Sequence, residues 1–338
     1  MVKPSNPPLS HGYAELLRAS PFNSHAAAAA EAAAEERRRG QELPLIDLGG
    51  LRGGGERERA ECAAAIARAS SEWGFFQVVN HGVRGELLER MRGEIVKVFG
   101  APFEKKAVSG VLNNSYRWGN PTATSPTHFN WSEAFHIPLT KISEENCYGD
   151  FKSLREVMIE YASAMQELSK LLGGVLVEHL GHRKNLIDNM CDENTCFVRL
   201  NHYPPCQISS EVFGLMPHTD SDFLTILHQD EVGGLQLMKD SRWVAVKPIK
   251  NALIVNIGDL FQAWSNNIYK SVEHKVMPNG KVGRFSIAYF LCPSYDSVIG
   301  SCQEPSIYRS FTFREYRNQI QEDVKLIGHK IGLSKFLY

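Results

Sequence analysis

The sequence predicts a mainly β fold, a sandwich or barrel, with helices packed outside it. Three observations indicate this class: many short β-rich runs after Cys196, several helical patterns before that residue, and a helix signal near the C-terminus. The chain has 338 residues, enough for one large domain or two closely packed ones. Its 43% hydrophobic and 22% charged residues are typical of a folded globular protein.

Residues 1–41 form a compositionally biased head. An alanine run that starts at Ala26 leads into Glu-Glu-Arg-Arg-Arg, which favours a helix but supplies no core. We therefore expect a disordered or frayed surface helix there. The folded part begins near Leu43, where 44–48 are predicted to form a short strand before a Gly-rich turn at 49–55.

Helical patterns dominate the next part of the chain. One runs from Glu56 to Trp73, and the aromatic and β-branched run Phe75 to Val79 follows it as a strand. A second helix has apolar residues at helical spacing from Leu87 to Phe99. A longer amphipathic helix is predicted from about Leu154 to Leu180.

Short β-rich runs separated by turn residues follow Cys196. The predicted strands are 197–203, 223–227, 235–238, 243–246, 252–257, 270–277 and 284–291. Many short strands at close spacing indicate the sandwich or barrel. Nearer the C-terminus, Thr312-Phe-Arg-Glu is a capping box and predicts a further helix.

Charge and cysteine usage exclude several classes of protein. Lys and Arg number 37 against 38 Asp and Glu, a net charge of -1 without long blocks of one sign, so we expect no nucleic-acid partner. Seven cysteines without paired short spacings indicate reduced thiols rather than disulfides or a zinc ribbon. Residues 1–24 lack the apolar segment of a secretion signal, and no long apolar window occurs. We expect no membrane span and a cytoplasmic location, with the nucleus as an open alternative.

His218-Thr219-Asp220 is the sharpest local motif. Residues two apart on extended backbone face the same side, so an imidazole and a carboxylate can bind one ion. Alone the motif is weak, because such pairs are more often surface pairs or Asx turns. A second histidine, His274, lies on the predicted strand 270–277. Two His and one Asp form a facial triad that leaves positions open around ferrous iron for an α-keto acid and dioxygen, whereas a structural zinc would close its shell.

Two further strands carry polar side chains at the same spacing. Arg284 and Ser286 present a planar two-pronged donor and a hydroxyl on one face, which suits the far carboxylate of a keto acid. Arg284 taken alone is more often a locally paired surface residue. Arg199, Asn201 and Tyr203 also share one face of their strand. The neighbouring histidine of that strand faces the other way and is predicted to be structural.

The ordered set Asn201-His-Tyr-Pro-Pro-Cys206, His218-x-Asp220, His274 and Arg284-x-Ser286 resembles the plant 2-oxoglutarate and iron(II)-dependent dioxygenases. The run Trp73-Gly-Phe-Phe-Gln-Val-Val-Asn-His-Gly82 is similar to the N-terminal domain of that family, so the likeness covers about 43–316. It implies a double-stranded β-helix, or jelly roll, that holds iron at its open end. It also implies that the strands flanking Asn279-Gly280 belong to opposite sheets, although that dipeptide alone suggests a hairpin.

The resemblance divides the chain into five parts and assigns the site. The parts are the head at 1–41, an N-terminal dioxygenase-family region at 43–145, a long packing helix at 150–182, the iron and 2-oxoglutarate jelly-roll core at 193–295, and a helical tail at 310–338. The implied iron ligands are His218, Asp220 and His274, and the implied 2-oxoglutarate contacts are Tyr203, Arg284 and Ser286. The implied cofactors are Fe(II), 2-oxoglutarate as co-substrate and dioxygen, with ascorbate in a supporting role.

Residues 116–124 and 131–138 resemble the gibberellin 2-oxidases, particularly the group that acts on twenty-carbon gibberellins. The implied reaction hydroxylates carbon 2 of this diterpenoid acid and inactivates the hormone. The candidate substrate-pocket residues are Arg199, Asn201, Trp118, Phe135 and Phe290. A structural salt bridge of the arginine and simple packing of the aromatic residues remain open.

Two alternatives to this function also remain open. The same chemistry can act on a flavonoid, an alkaloid precursor or another hormone. A non-catalytic small-molecule binder on the same fold would be expected to lack a metal ligand, whereas the set here is complete.

Overall fold

The architecture is a pair of β-sheets with a helical layer outside the larger one. The computed structural model describes residues 5–19, 42–108, 111–121, 123, 128–208 and 212–338. An eight-stranded sheet and a four-stranded sheet supply the core, so the predicted mainly β class with packed helices is confirmed. All seven cysteines are free thiols.

The secondary-structure elements of the described residues are numbered in chain order. The strands are β1 (Leu45–Asp47), β2 (Phe75–Val79), β3 (Arg117–Trp118), β4 (Glu133–Pro138), β5 (Phe197–Tyr203), β6 (Leu215–His218), β7 (Leu224–Gln229), β8 (Leu235–Lys239), β9 (Arg242–Ala245), β10 (Leu253–Ile257), β11 (His274–Val276), β12 (Arg284–Leu291), β13 (Val298–Ile299) and β14 (Phe311–Thr312). The α-helices are α1 (Leu9–Gly12), α2 (Ala14–Ala19), α3 (Gly49–Gly53), α4 (Glu56–Glu72), α5 (Gly85–Gly100), α6 (Phe103–Lys106), α7 (Lys152–His179), α8 (Leu186–Met190), α9 (Asp259–Trp264) and α10 (Phe313–Ile327).

The large sheet has the order β1-β2-β10-β7-β12-β5-β4-β3, and the small sheet has the order β6-β11-β8-β9. β11 and β12 flank the Asn279-Gly280 turn and lie in different sheets, as the family resemblance implied. A cluster of apolar side chains from both sheets, including Phe75, Ile254 and Leu237, fills part of the space between them. The two sheets therefore enclose an interior that can hold a site.

The outer face of the large sheet is covered by α4, α5 and α7. α7 is amphipathic and buries one stripe that includes Leu154, Met158 and Tyr161. Every residue of β10 is buried, because that strand has the helical layer on one side and the sheet interior on the other. No helix among the described residues has the length and apolarity that crossing a membrane requires.

Several elements differ from the sequence prediction. The predicted strand 270–277 is a strand only at His274–Val276, because the backbone N–H groups before it bond outside the sheet: that of Lys270 donates to the Ser70 carbonyl at 3.1 Å and that of Ser271 to Gln262 Oε1 at 2.6 Å. The Gly-rich turn contains the short helix α3. The prediction missed β4, whose buried Glu133 masks the apolar alternation of the strand.

The N-terminal segment packs more closely than its composition indicated. Leu9 and Tyr13 are buried, and the Tyr13 ring stacks on Phe129 with 3.9 Å between ring centroids. Residues 5–19 therefore differ from the expected frayed head, since their apolar residues recur at helical spacing. The alanine run lies in 20–41, outside the described residues.

A buried ion pair joins α6 to β4, and a histidine of β5 contacts the same carboxylate. Lys106 and Glu133 are both fully buried, with 2.6 Å between Lys106 Nζ and Glu133 Oε2. The Tyr116 hydroxyl donates to the same carboxylate, and His202 Nδ1 lies 2.7 Å from Glu133 Oε1. Since His202 belongs to β5, the network holds that strand from one face, and the opposite face carries Arg199, Asn201 and Tyr203.

Replacing Lys106 by methionine tests this network. The change leaves the Glu133 carboxylate buried without its cation, so we expect the free energy of unfolding to fall by about 3–5 kcal/mol in chemical denaturation. Lys105→Met is the matched control, because Lys105 pairs with Asp150 on the exposed surface. Equal stabilities of the two variants would contradict the role given to the buried pair.

Candidate active site

A cavity of about 370 Å³ lies between the two sheets. Residues of the large sheet form one wall, residues of the small sheet form the opposite wall, and α10 contributes to the rim. The cavity brings together His218, Asp220, His274, Tyr203, Arg284 and Ser286. All six residues that the family resemblance implied for iron and 2-oxoglutarate therefore line one cavity.

The two histidines are direct neighbours across a strand pair. His218 ends β6 and pairs with His274 at the start of β11, and the ring centroids are 4.3 Å apart. Each Nε2 atom lies 3.7 Å from Asp220 Oδ1. One ligand atom from each residue lies within 4.8 Å of the other two, so the three side chains can bind a single metal ion.

Hydrogen bonds orient these side chains from outside. His218 Nδ1 lies 2.8 Å from the Met216 carbonyl and His274 Nδ1 lies 3.1 Å from the Val272 carbonyl. A carbonyl can only accept, so each Nδ1 carries the proton and each Nε2 presents a lone pair. Burial lowers the pKa of His218, and the His274 imidazole acts in the same direction, which keeps His218 neutral for ligation.

The Asp220 carboxylate is oriented in the same way. Its Oδ2 accepts hydrogen bonds from Thr225 Oγ1 at 2.6 Å and Asn256 Nδ2 at 2.8 Å, while Oδ1 faces the histidines. Burial by itself would raise the pKa of Asp220, but the two imidazoles and these donors outweigh it and lower that pKa. The result is an ionised ligand with one oxygen held by the protein and one directed at the metal position.

Arg284 is a buried cation that lacks a carboxylate partner among the described residues. It is 1% exposed, and its Nη atoms donate to Ser286 Oγ at 3.2 Å and Gln229 Oε1 at 2.7 Å. Its guanidinium carbon lies 5.0 Å from the centroid of the Tyr203 ring, and its buried Nε has no hydrogen-bond partner. A buried cation of this kind requires an anion, which the far carboxylate of 2-oxoglutarate would supply.

Strand register places these residues on one face. Arg284 pairs with Tyr203 and Ser286 pairs with Asn201 across β12 and β5. Gly214 packs against the Tyr203 ring, where a Cβ atom would stand 2.6 Å from Tyr203 Cδ1. Only glycine permits the chain to pass there with the ring in place.

The predicted substrate residues fall into two groups. Arg199, Asn201 and Phe290 line the cavity. Trp118 and Phe135 are not among the residues that line it. Their cross-strand partners account for this placement: Phe135 pairs with Leu200, and Trp118 pairs with Glu133, which in turn pairs with His202. Leu200 and His202 lie on the face of β5 that points away from the cavity, so side chains in register with them point away too.

Phe290 belongs to a stacked aromatic wall whose other two members, His136 and Phe197, were not predicted from the sequence, and neither was a second arginine of the cavity. His136 stacks on Phe197 with ring centroids 4.0 Å apart, and Phe197 stacks on Phe290 at 4.2 Å. Burial lowers the pKa of His136 to about 4, and the positive charges of Arg199 and Arg317 add to this effect, so the ring is neutral. Arg317 comes from α10, and no local signal in the sequence placed that helix beside the cavity.

Two family profiles match this chain. One is described as the 2OG-Fe(II) oxygenase superfamily and matches residues 194–293, and the other is described as non-haem dioxygenase in morphine synthesis N-terminal and matches residues 43–157. The chain is 59% identical to gibberellin 2-beta-dioxygenase 6 of Oryza sativa subsp. japonica, over 88% of this chain and 85% of that protein.

The chain belongs to the 2OG-Fe(II) oxygenase superfamily.

Further similarities agree with this membership. Gibberellin 2-beta-dioxygenase 8 of Arabidopsis thaliana is 57% identical over 88% of this chain and 87% of its own length. A crystal structure of JOX2 in complex with 2OG, Fe and JA is 32% identical, with a TM-score of 0.76 over 88% of this chain and 90% of that one. The protein is therefore an iron(II)- and 2-oxoglutarate-dependent dioxygenase with a small-molecule substrate. Two imidazoles and one carboxylate fit a ferrous ion that keeps open positions.

Removing the Thr225 hydroxyl tests how the carboxylate ligand is held. In Thr225→Val, Asp220 Oδ2 loses a donor at 2.6 Å without loss of side-chain volume. We expect about 10- to 100-fold weaker binding of Mn(II), a redox-stable substitute for Fe(II), in an equilibrium titration. Thr225→Ser keeps the hydroxyl and serves as the matched control. Wild-type affinity in the valine variant would show that this hydrogen bond does not orient the ligand.

Proposed function

We propose that this dioxygenase hydroxylates gibberellins at carbon 2 and so inactivates the hormone, with twenty-carbon gibberellins as its preferred substrates. The observation that carries the proposal is the identity of 59% and 57% with two gibberellin 2-beta-dioxygenases over most of the chain. Within the proposal, His218, Asp220 and His274 are the iron ligands. Ascorbate is proposed as a supporting reductant.

The residues of this chain bind, orient and shield the reactants. When bound, ferrous iron supplies the activation of dioxygen that this chemistry needs. Arg284 and Ser286 hold the far carboxylate of 2-oxoglutarate, and the Tyr203 ring packs against the guanidinium to keep it in place. Leu227 and Leu235 line the same cavity and place apolar surface beside the reacting groups.

The rest of the cavity suits an apolar acid. The stacked wall of His136, Phe197 and Phe290 offers neutral, flat surface to a multi-ring skeleton. Arg199 and Arg317 add two positive charges beside it. Among the described residues neither forms an ion pair with a carboxylate. Arg199 Nε donates to Asn201 Oδ1 at 2.9 Å, and Arg317 Nη1 donates to Tyr295 Oη at 2.6 Å. A substrate carboxylate would neutralise this cationic end of the cavity.

The direct test is turnover of matched twenty-carbon and nineteen-carbon gibberellins. Purified enzyme with Fe(II), 2-oxoglutarate and ascorbate is expected to give a 2-hydroxylated product from the twenty-carbon substrates, identified by mass spectrometry. Asp220→Ala is the inactive control, because it removes the anionic metal ligand. The absence of product from both gibberellin groups, with turnover of a flavonoid or another hormone, would reject the hormone substrate and leave the dioxygenase assignment in place.

Arg199→Met separates the two carboxylate sites. Loss of a charge-assisted hydrogen bond is expected to raise the KM for the gibberellin by roughly 10- to 100-fold. The KM for 2-oxoglutarate should not change, because Arg284 is untouched. Arg59→Met, at an exposed position of α4, is the control for removal of an arginine. An unchanged gibberellin KM, or an equal rise in both constants, would contradict the role of Arg199.

A further inference from the structure

The C-terminal tail reaches back to the turn between two of the proposed iron ligands. α10 ends at Ile327, and Gly328 reverses the chain in a left-handed conformation with φ of 82°. Lys330 follows two residues later, and its Nζ donates to the Thr219 carbonyl at 2.6 Å and to Ser221 Oγ at 3.1 Å. Thr219 is the residue between His218 and Asp220, so the tail contacts the ligand turn itself.

Asp259 joins Lys330 to the same turn. Asp259 Oδ2 lies 2.6 Å from Lys330 Nζ and accepts a hydrogen bond from Thr219 Oγ1 at 3.1 Å. The two paired side chains are only 5% and 16% exposed, for Asp259 and Lys330 respectively, so water screens the pair weakly. The Asp259 backbone N–H donates to the Asp220 carbonyl at 2.9 Å, which fixes the second ligand of the turn as well.

The third ligand is tied to the same carboxylate. Ser271 Oγ donates to Asp259 Oδ1 at 2.6 Å, three residues before His274 on the approach to β11. Both oxygens of Asp259 are therefore engaged on segments that carry metal ligands. Lys330, Asp259 and Ser271 are not among the residues that line the cavity, so these three side chains act on the ligand segments and not on a reactant.

The tail that presents Lys330 is itself firmly packed. The buried Tyr316 of α10 donates its hydroxyl to Asp259, and its ring lies 5.4 Å from that of Phe336, measured between centroids. Asp323 Oδ2 accepts a hydrogen bond from the Ile331 backbone N–H at 3.0 Å, directly beside Lys330. The same helix lines the cavity through Arg317. One element thus contacts both the substrate space and the ligand turn.

We propose that Lys330 and Asp259 are positioning residues through which the C-terminal tail holds the His218-Thr219-Asp220 turn in metal-binding geometry. The proposal rests on the proposed assignment of His218, Asp220 and His274 as iron ligands. Lys330 neutralises Asp259 and restrains the Thr219 carbonyl. Asp259 in turn forms hydrogen bonds with Thr219, Asp220 and Ser271, which lie on the segments that carry the three ligands. The affinity of the site for a divalent metal therefore depends on a lysine that binds neither metal nor substrate.

The test is an equilibrium titration of the full-length apo protein with Mn(II), together with the visible spectrum of the Co(II) form. Lys330→Met is expected to weaken Mn(II) binding by about tenfold and to alter the Co(II) bands. Lys330→Arg keeps the charge and should recover most of the affinity. Lys335→Met removes an exposed lysine of the same tail and should match wild type. His218→Ala removes a proposed ligand and should bind Mn(II) far more weakly than any of them.

A double-mutant cycle distinguishes positioning from general stabilisation of the tail. Asp259→Asn is expected to weaken Mn(II) binding like Lys330→Met, and the double variant should lose less than the product of the two single effects. All titrations are made at a temperature where circular dichroism shows each apo variant to be folded. Wild-type Mn(II) affinity and Co(II) bands in Lys330→Met would overturn the proposal, as would an equal loss in Lys335→Met. Failure of His218→Ala to weaken binding would instead overturn the ligand assignment.

Discussion

The pairing of β6 with β11 is the constraint on which the rest of the site depends. It sets His218 directly opposite His274, and the residue two positions after His218 brings its carboxylate to the same point. A slip of one residue in this pairing would turn one imidazole to the other face of the sheet and separate the ligand atoms. The strand register thus brings the three ligand side chains together. Their hydrogen bonds with Met216, Val272, Thr225 and Asn256 then set the orientation of each side chain.

A second register serves the co-substrate. The pairing of β12 with β5 aligns Arg284, Ser286, Ala288 and Phe290 with Tyr203, Asn201, Arg199 and Phe197. The four pairs form a strip that runs from the anion clamp to the aromatic wall. One end of the strip holds Arg284 and Ser286, where 2-oxoglutarate would bind, and the other end holds Phe197, Phe290 and Arg199. Under the proposed assignment, one pair of antiparallel strands would therefore carry both the co-substrate clamp and part of the substrate wall.

The sequence predicted the parts of the site that depend on local spacing. The i and i+2 positions in His218-x-Asp220 and Arg284-x-Ser286 determine which side chains share a face, and in the structure all four side chains line the cavity. Trp118 and Phe135 show the limit of local spacing, because the strand that carries Phe135 was not predicted and the side to which this residue points depends on its pairing with Leu200. Arg317 and Lys330 were missed for a related reason. Their contacts with the cavity and with Thr219 join distant parts of the chain, and no periodicity in the sequence reports such contacts.

Two imidazoles and one aspartate are expected to hold one metal ion, with the 2-oxoglutarate clamp beside it. The most direct measurement is a crystal structure of the enzyme with Mn(II) and 2-oxoglutarate, prepared without dioxygen. We predict one ion bound by Nε2 of His218, Nε2 of His274 and Oδ1 of Asp220, with the far carboxylate of 2-oxoglutarate on Arg284 and Ser286. An ion bound elsewhere, or 2-oxoglutarate held away from Arg284, would contradict it.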